Sequence, residues 1–249
     1  QWGFAGVTHR VGGSYLPFGG DFDGDGRDDI FWYAPGAPSD SIWFGQPGAS
    51  FANVPKTVGG TFSPMAGDFD GDGTTDVFWY RPGPTAEVMW YGASVRGGFT
   101  SVRPTTIPET YTPLIGDFSA DGRDDIIWYR PGTASDRLWL ATGRLGSFTS
   151  RALTVDGTFW PVVVDAAGDG AADIAWYAPG ATADRLWQFQ AGGTYRSVGI
   201  NVGGWYEPVP GDYSGEGRGD ILWLQPSMAR SYLWFGEANG LFRSIPAIR

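Results

Sequence analysis

The stretch "GDFDGDGRDDIFWY", residues 20–33, places five aspartates within nine positions directly before four apolar or aromatic residues. Related stretches recur as "GDFDGDGTTDVFWY", "GDFSADGRDDIIWY", "VDAAGDGAADIAWY" and "GDYSGEGRGDILWL". The leading aspartates of the five copies stand at positions 21, 68, 117, 165 and 212, which are 47 to 49 residues apart. A pattern that recurs at a fixed period reports architecture before it reports chemistry. The chain therefore consists of five copies of one unit.

Each copy contains four short segments that are typical of β-strands. They are rich in β-branched and aromatic residues and are separated by Gly, Pro, Asn and Asp, which favour turns. In the first copy these segments, named strands A to D, are predicted around residues 15–22, 29–33, 41–45 and 51–58. Little helix is expected, because the chain has 40 glycines and 18 prolines and shows no convincing period of 3.6 residues.

Four-stranded units of about 40 to 50 residues have the length of a β-propeller blade. Strand B supports this prediction, because "IFWY" is apolar on both of its alternating faces and needs cover on both sides. The sequence thus predicts an all-β fold in which residues 1–249 form a single β-propeller domain of five four-stranded antiparallel blades. The predicted blade repeats are approximately 12–58, 59–106, 107–154, 155–201 and 202–249.

The two ends of the chain compete for one strand position. The N-terminal "FAGVTHRV" (4–11) and the C-terminal "FRSIPAIR" (242–249) both align with strand D of the first copy, "FANVPKTV" (51–58). We expect the termini to meet in the last blade, with residues 1–11 as an extra outer strand that closes the ring. The alternatives are that the C-terminal copy closes it, or that the chain is a segment of a larger ring. A spare terminal strand would also offer an edge for self-association.

The negative charge is confined to five loops, which run from the leading to the last aspartate of each copy and are called acidic loops 1 to 5. They hold 19 of the 27 acidic residues and 3 of the 17 basic ones, so they carry −16 and the rest of the chain +6. Carboxylates at this density repel one another unless a cation takes their oxygens. The pattern D-x-D-x-D-G-x-x-D offers only oxygen ligands, which favours Ca²⁺ over Mg²⁺ or zinc. The loops are residues 21–29, 68–76, 117–125, 165–173 and 212–220.

The acidic loops are not EF-hands, because Trp32 stands at the twelfth position, where an EF-hand has Glu. They resemble instead the calcium loops of FG-GAP or VCBS-type repeats, which form the blades of integrin alpha-chain propellers and of many bacterial secreted proteins. The resemblance covers essentially the whole chain and implies a ligand set in each loop. In the first three loops the implied ligands are Asp21, Asp23, Asp25, the Arg27 carbonyl and Asp29; Asp68, Asp70, Asp72, the Thr74 carbonyl and Asp76; and Asp117, Ser119, Asp121, the Arg123 carbonyl and Asp125.

Loops 4 and 5 depart from that pattern, since Ala167 takes the third position of loop 4 and the longer Glu216 takes the fifth position of loop 5. Calcium occupancy is therefore expected to fall along the chain. The alternative for these two loops is a turn that only hydrogen-bonds its own backbone. Bound ions are expected to be mainly structural, because their binding energy adds to folding. The positions concerned are Asp165, Asp169, Ala171 and Asp173, and Asp212, Ser214, Glu216, Arg218 and Asp220.

Residues that differ between copies are the candidates for a ligand site. Ten of the 13 tryptophans recur in every copy and are interpreted as packing between blades, with repeated sugar-stacking sites as the alternative. Trp160 and Trp205 do not recur, and they fall in the D-to-A connections together with unshared carboxylates. These connections are expected on the face opposite the acidic loops, where an aromatic ring beside carboxylates suits a saccharide. The predicted ligand-site residues are Glu109, Asp156, Trp160, Trp205 and Glu207.

These features predict a secreted, non-catalytic recognition module, lectin-like or adhesive, that binds a glycan or an extracellular protein. Binding to nucleic acid and insertion into a membrane are not expected, since basic clusters and long apolar runs are absent. Gln1 would suit the mature end of a secreted chain. One alternative is a glycoside hydrolase or polysaccharide lyase that uses two of the unshared carboxylates. A protein-interaction scaffold is the other. His9, the only histidine, is expected at a strand edge rather than as a base.

Overall fold

The computed structural model contains 20 strands in five sheets and has no helix among the residues it describes. Accordingly, nothing in that part of the chain is a helix long and apolar enough to cross a membrane. Every sheet has four antiparallel strands in sequence order, so the fold is the predicted all-β propeller of five blades. The described residues are 6–37, 39–83, 87–104, 106–132, 135–180, 184–225 and 230–246.

Blades 1 and 2 lie in one compact unit, Gln1–Glu109. Their strands face each other through a hydrophobic core in which Phe31 and Tyr33 of blade 1 pack with Val77 and Trp79 of blade 2. Blade 1 consists of β1 (Leu16–Gly20), β2 (Asp29–Tyr33), β3 (Asp40–Gln46) and β4 (Ser50–Lys56). Blade 2 consists of β5 (Ser63–Gly67), β6 (Asp76–Tyr80), β7 (Val88–Gly92) and β8 (Phe99–Val102).

Blades 3 to 5 lie in a second compact unit, Thr110–Arg249. One core cluster brings Tyr129 onto Trp176, with ring centroids 4.9 Å apart, and the next brings Tyr177 onto Trp223 at 5.0 Å. The strands of blade 3 are β9 (Thr112–Gly116), β10 (Asp125–Tyr129), β11 (Asp136–Ala141) and β12 (Phe148–Leu153). Blade 4 consists of β13 (Trp160–Val164), β14 (Asp173–Tyr177), β15 (Arg185–Gln190) and β16 (Thr194–Gly199). Blade 5 consists of β17 (Glu207–Gly211), β18 (Asp220–Leu224), β19 (Tyr232–Gly236) and β20 (Phe242–Pro246).

The second strand of each blade is its most buried strand. All five residues of β6, β10 and β14 are buried, which is what the two-sided apolar pattern of strand B predicts. Consecutive acidic loops are also joined by a backbone hydrogen bond. Thr75 N donates to Asp21 O at 2.7 Å, and the same bond runs from Ala172 N to Asp117 O and from Gly219 N to Asp165 O. Within each unit, one acidic loop is thus tied directly to the next.

The predicted outer strand over residues 1–11 is not found in its described part. Residues 6–15 contain no strand, and residues 1–5 lie outside the described residues. The fourth strand of blade 5 is instead β20, which pairs with β19 through a short turn closed by Glu237 N and Leu241 O at 2.9 Å. A short hairpin loses little loop-closure entropy, which favours the C-terminal copy at this edge. His9 packs on blade 1, with its ring 5.2 Å from that of Phe51.

Candidate functional site

All five acidic loops share one turn, which is held by the side chain of the leading aspartate. In loop 1, Asp21 accepts hydrogen bonds from Asp25 N at 3.1 Å and Gly26 N at 2.8 Å. The leading aspartates of the other loops accept the equivalent two bonds. The sixth position has φ between 81° and 86° and is glycine in every loop, because other residues rarely adopt this left-handed backbone. Loops 4 and 5 therefore keep the turn despite their altered acids.

The closing aspartate of each loop is buried and bound to backbone N–H groups. Asp76 accepts from Phe69 N and Gly92 N, both at 2.8 Å, so it ties the start of loop 2 to the end of strand C in the same blade. Burial raises the pKa of Asp76 to about 8. The predicted ligands Asp29, Asp125, Asp173 and Asp220 occupy the same position and accept the corresponding bond from strand C.

Three carboxylates converge in loops 1 and 2, where one oxygen from each lies within 4.8 Å of the others. No other group of this kind is found among the described residues. In loop 1, Asp23 is only 7% exposed, and its Oδ1 is buried without a hydrogen-bond partner. A buried carboxylate oxygen is unfavourable unless a donor or a cation contacts it, so this donor set fits a calcium ion. The groups are Asp21, Asp23 and Asp25, and Asp68, Asp70 and Asp76.

The seventh position of the loops supplies a counter-charge that the sequence interpretation missed, since it treated this residue only as a carbonyl ligand. Arg27 pairs with Asp25 at 3.1 Å, and loops 3 and 5 have the same pair between their seventh and fifth positions. In loop 2 the seventh residue is Thr74, whose hydroxyl donates to Asp72. Burial raises the pKa of Asp70 in that loop, and the charge of Asp72 raises it further. Loop 2 thus concentrates carboxylates without an arginine at its seventh position.

A second set of buried acids was also missed. Asp40 accepts from Ala34 N at 2.7 Å and from Val58 N at 2.8 Å, which joins the end of strand B to the start of the D-to-A connection. Asp136 and Asp184 make the same two bonds in blades 3 and 4. The signal was present in the sequence, because an acid stands three residues before the strand C tryptophan in "DSIW", "EVMW" and both copies of "DRLW".

The structure brings two of the predicted ligand-site residues into contact. Trp160 and Trp205 have ring centroids 6.2 Å apart at an interplanar angle of 82°, and they are 48% and 64% exposed. Trp160 begins β13, and Trp205 lies in the connection before β17. The indole of Trp205 packs over Gly180 in the B-to-C turn of blade 4, where a Cβ would lie 2.6 Å from Nε1. The pair therefore sits beside both kinds of connection, as predicted for the face opposite the acidic loops.

The three predicted carboxylates belong to three different segments of the chain. Asp156 lies in the connection between β12 and β13, and Glu207 is the first residue of β17; both are exposed in the second unit. The backbone carbonyl of Asp156 accepts from Arg185 Nη2 at 3.1 Å. Glu109 lies at the end of the first unit, where its backbone carbonyl accepts from Tyr80 Oη at 3.0 Å.

Comparison with known proteins shows which repeat family and which solved structures this chain resembles. Residues 21–79 and 68–128 match the family model of the FG-GAP-like repeat, whereas no curated protein matches the chain. A lectin of Agrocybe aegerita, described for specific recognition of non-reducing terminal N-acetylglucosamine, is similar in structure with a TM-score of 0.73 and 17% identity. The match covers 93% of this chain and 65% of the lectin, so this chain spans just under two thirds of that protein's length.

A weaker similarity is to the Tc holotoxin pore of Photorhabdus luminescens, with a TM-score of 0.55 and 16% identity. It covers 92% of this chain and 12% of the toxin chain. At these identities the two likenesses concern the fold alone. The chain is thus a five-bladed β-propeller, and its residues 21–79 and 68–128 match the FG-GAP-like repeat.

Proposed function

We propose that this chain is a secreted, calcium-binding and non-catalytic module that recognises glycans. The observation that carries the proposal is the exposed pair of Trp160 and Trp205. Their rings stand almost perpendicular and form an apolar corner, in which one ring offers a face for stacking and the other an edge. A saccharide presents an apolar C–H face and polar hydroxyls, so its C–H face suits such a corner.

The blade itself does not need these two indoles. The residues at the position of Trp160 in other copies include Leu16 and Thr112, and those at the position of Trp205 include Thr61 and Thr110. Large aromatic side chains that are exposed and dispensable for the blade point to a partner rather than to packing. The similarity to a lectin supports a saccharide as that partner and makes terminal N-acetylglucosamine the first probe to use.

Calcium has a structural part in this proposal. Trp160 and acidic loop 4 lie at opposite ends of β13, since Asp165 follows the last residue of that strand. An ion in the loop would therefore hold the blade without touching a saccharide at the aromatic pair. Millimolar free calcium is an extracellular condition, which is why we place the module outside the cell.

The test is binding of the calcium-loaded protein to an array of glycans that includes chains ending in N-acetylglucosamine. The variant carries Trp160→Leu and Trp205→Thr, which restore residues found in other copies and so keep the blade intact. Tyr213→Ala is the matched control, because Tyr213 is 45% exposed but lies in acidic loop 5. We expect the double variant to lose at least about tenfold in affinity, or roughly 1.4 kcal/mol, with an unchanged thermal midpoint.

Two results would contradict the proposal. One is a wild-type protein that binds no glycan on the array, which would favour an extracellular protein as the partner. The other is a double variant that binds glycans as well as the wild type does. Loss of binding in Tyr213→Ala alone would move the site to the face of the acidic loops.

A further inference from the structure

A side chain from blade 2 reaches into acidic loop 1 of blade 1. Arg96 lies in the turn between β7 and β8, and its Nε donates to Asp23 Oδ2 at 2.7 Å. Its Nη2 is 3.7 Å from Asp25 Oδ2, and its guanidinium lies 5.3 Å from the ring centroid of Phe44. Charge and aromatic stacking therefore hold this arginine across the junction of two blades.

The two oxygens of Asp23 have different surroundings. Oδ2 is bound by Arg96, whereas Oδ1 is buried and has no hydrogen-bond partner. The Asp23 carboxylate belongs to the group with Asp21 and Asp25. The bond to Oδ2 fixes the rotation of the carboxylate and leaves Oδ1 as the oxygen available to a cation. Carboxylates that bind metals are commonly oriented in this way by a second hydrogen-bonding residue.

The arginine is found in one copy, whereas an aspartate at the third loop position is found in loops 1 and 2. Arg96 stands six residues after the strand C tryptophan, and no other copy has a basic residue there. At the corresponding junction of blades 4 and 5, Gly240 stands in place of Arg96 and Ala167 in place of Asp23. A Cβ on Gly240 would lie 3.6 Å from the Cβ of Ala167, so these two positions also meet there. Where the acid is lost, the arginine is lost too.

We infer that Arg96 is a positioning residue for a calcium ion held by Asp21, Asp23 and Asp25, so that two blades together build this site. The inference rests on the calcium binding proposed above. Because the ion and Arg96 share one carboxylate, an ion in loop 1 fastens the turn at residues 93–98 onto blade 1. By reciprocity, docking of that turn strengthens binding of the ion.

The opposite role for Arg96 is that of a competitor, whose positive charge repels the ion. The side chain of Arg96 is 38% exposed, so solvent and salt screen its charge. The orientation of the buried Asp23 carboxylate is not screened in this way. Positioning should therefore outweigh repulsion, and removal of the guanidinium should weaken calcium binding rather than strengthen it.

Hydrogen–deuterium exchange of the full chain during a calcium titration separates the loops from one another. In the wild type we expect calcium to slow exchange both in loop 1 and in the turn at residues 93–98. Arg96→Met keeps an apolar stem on Phe44 but removes the guanidinium. In this variant we expect the calcium midpoint of loop 1 to rise about tenfold or more. Protection of the turn should be lost, while the midpoint of loop 2 stays unchanged.

Arg103→Met is the control, because it removes an exposed guanidinium that lies outside the acidic loops and outside the turn at residues 93–98. It should leave protection of the turn intact. Arg96→Lys keeps the charge but not the fork of donors, and it should give an intermediate midpoint even if Arg96→Met folds poorly.

Several outcomes overturn the inference. If Arg96→Met lowers the calcium midpoint of loop 1, Arg96 competes with the ion. If the calcium midpoint is unchanged, Arg96 has no role in calcium binding. If calcium protects loop 2 but not loop 1 in the wild type, this inference alone fails. If calcium protects no loop, the proposed calcium binding fails with it.

Discussion

Acidic loops 2 and 4 have the same backbone turn but different charges. Asp68 accepts from Gly73 N at 2.8 Å and Asp165 from Gly170 N at 3.0 Å, so each leading aspartate shapes its loop alike. Loop 2 adds carboxylates at its third and fifth positions, whereas loop 4 has Ala167 at the third. Only loop 2 of the pair gathers three carboxylates within 4.8 Å among the described residues.

Loops 2 and 4 show that the shape of an acidic loop and its supply of oxygens for a cation depend on different positions of the repeat. The leading and closing aspartates and the glycine at the sixth position determine the shape of the loop, and every copy keeps them. The third and fifth positions determine how many oxygens face a cation, and these positions vary. A loop of the right shape is therefore not by itself a calcium site.

Removal of a closing aspartate should have the largest effect, and it should be similar in the two loops. Asp76→Ala and Asp173→Ala each leave two buried or partly buried backbone N–H groups without an acceptor. At about 1 to 3 kcal/mol for each group, either change should lower the free energy of unfolding by about 2 to 6 kcal/mol. Urea unfolding in chelator measures the loss, with Asp156→Ala, which removes an exposed carboxylate outside the acidic loops, as a control that changes little. A loss that occurs only with calcium present would show that the closing aspartate serves the ion alone.

Calcium should stabilise through loop 2 more than through loop 4. An ion at 1,000 times its dissociation constant adds about 4 kcal/mol per site. Asp70→Asn combined with Asp72→Asn should remove most of that gain from one site. Neither carboxylate is one of the leading and closing aspartates that hold the loop in shape. The thermal midpoint with calcium and with chelator measures the gain. Asp169→Asn in loop 4 should leave the calcium-dependent rise of the thermal midpoint nearly unchanged. If this variant reduces the rise as much as the loop 2 variant does, the charge at the third position does not matter.

Without calcium, the protein should lose stability as the pH rises from about 4 to about 8. Burial raises the pKa of Asp76 from 3.8 to about 8 and that of Asp173 to about 7. The folded chain thus holds protons that the unfolded chain has released in this range, so folding becomes less favourable as they are removed. Calcium favours the ionised carboxylates and should flatten the slope. Denaturant unfolding at several pH values measures both curves, and a chelated protein more stable at pH 8 than at pH 5 would contradict the prediction.

The smallest effect is expected in loop 3, where Ala120 has a φ of 54° at a position that is glycine in the other four loops. Ala120→Gly removes a strain of about 1 kcal/mol but increases the entropy of the unfolded chain. A net gain below about 1 kcal/mol is expected in urea unfolding. Ala152→Gly in β12 is the control and should destabilise the protein, because it raises the entropy of the unfolded chain to the same extent but relieves no backbone strain. Destabilisation by Ala120→Gly would show that this backbone is not strained.

The sequence predicts the repeated parts of the fold well, because each copy repeats the evidence. Strand B of the first copy is found at Asp29–Tyr33, as predicted, since the closing aspartate and the two-sided apolar run mark its ends. The extra outer strand expected over residues 1–11 is not found in its described part, residues 6–11, and the fourth strand of blade 5 is β20. Both terminal segments carry the same strand pattern, so only the short connection from β19 to β20 separates them.

Contacts between blades are the part that the sequence could not supply. Arg96 and Asp23 are 73 residues apart and meet only because two sheets pack together. Their pairing leaves no local pattern in either segment. Trp160 and Trp205 could be grouped in advance because both depart from the consensus of the repeat at nearby positions, and the structure places their rings in contact.

The backbone hydrogen bond that joins one acidic loop to the next has a consequence for how this chain can diverge. It joins a backbone carbonyl to a backbone N–H group, as between Asp21 and Thr75 or between Asp165 and Gly219. The bond therefore does not depend on the identity of the side chains at these positions. After duplication, a copy can therefore lose acids at the third and fifth positions and still keep its place beside its neighbour. Such copies become free to acquire new surface residues, and blade 4 combines an acidic loop that lacks its third-position acid with an unshared tryptophan, Trp160.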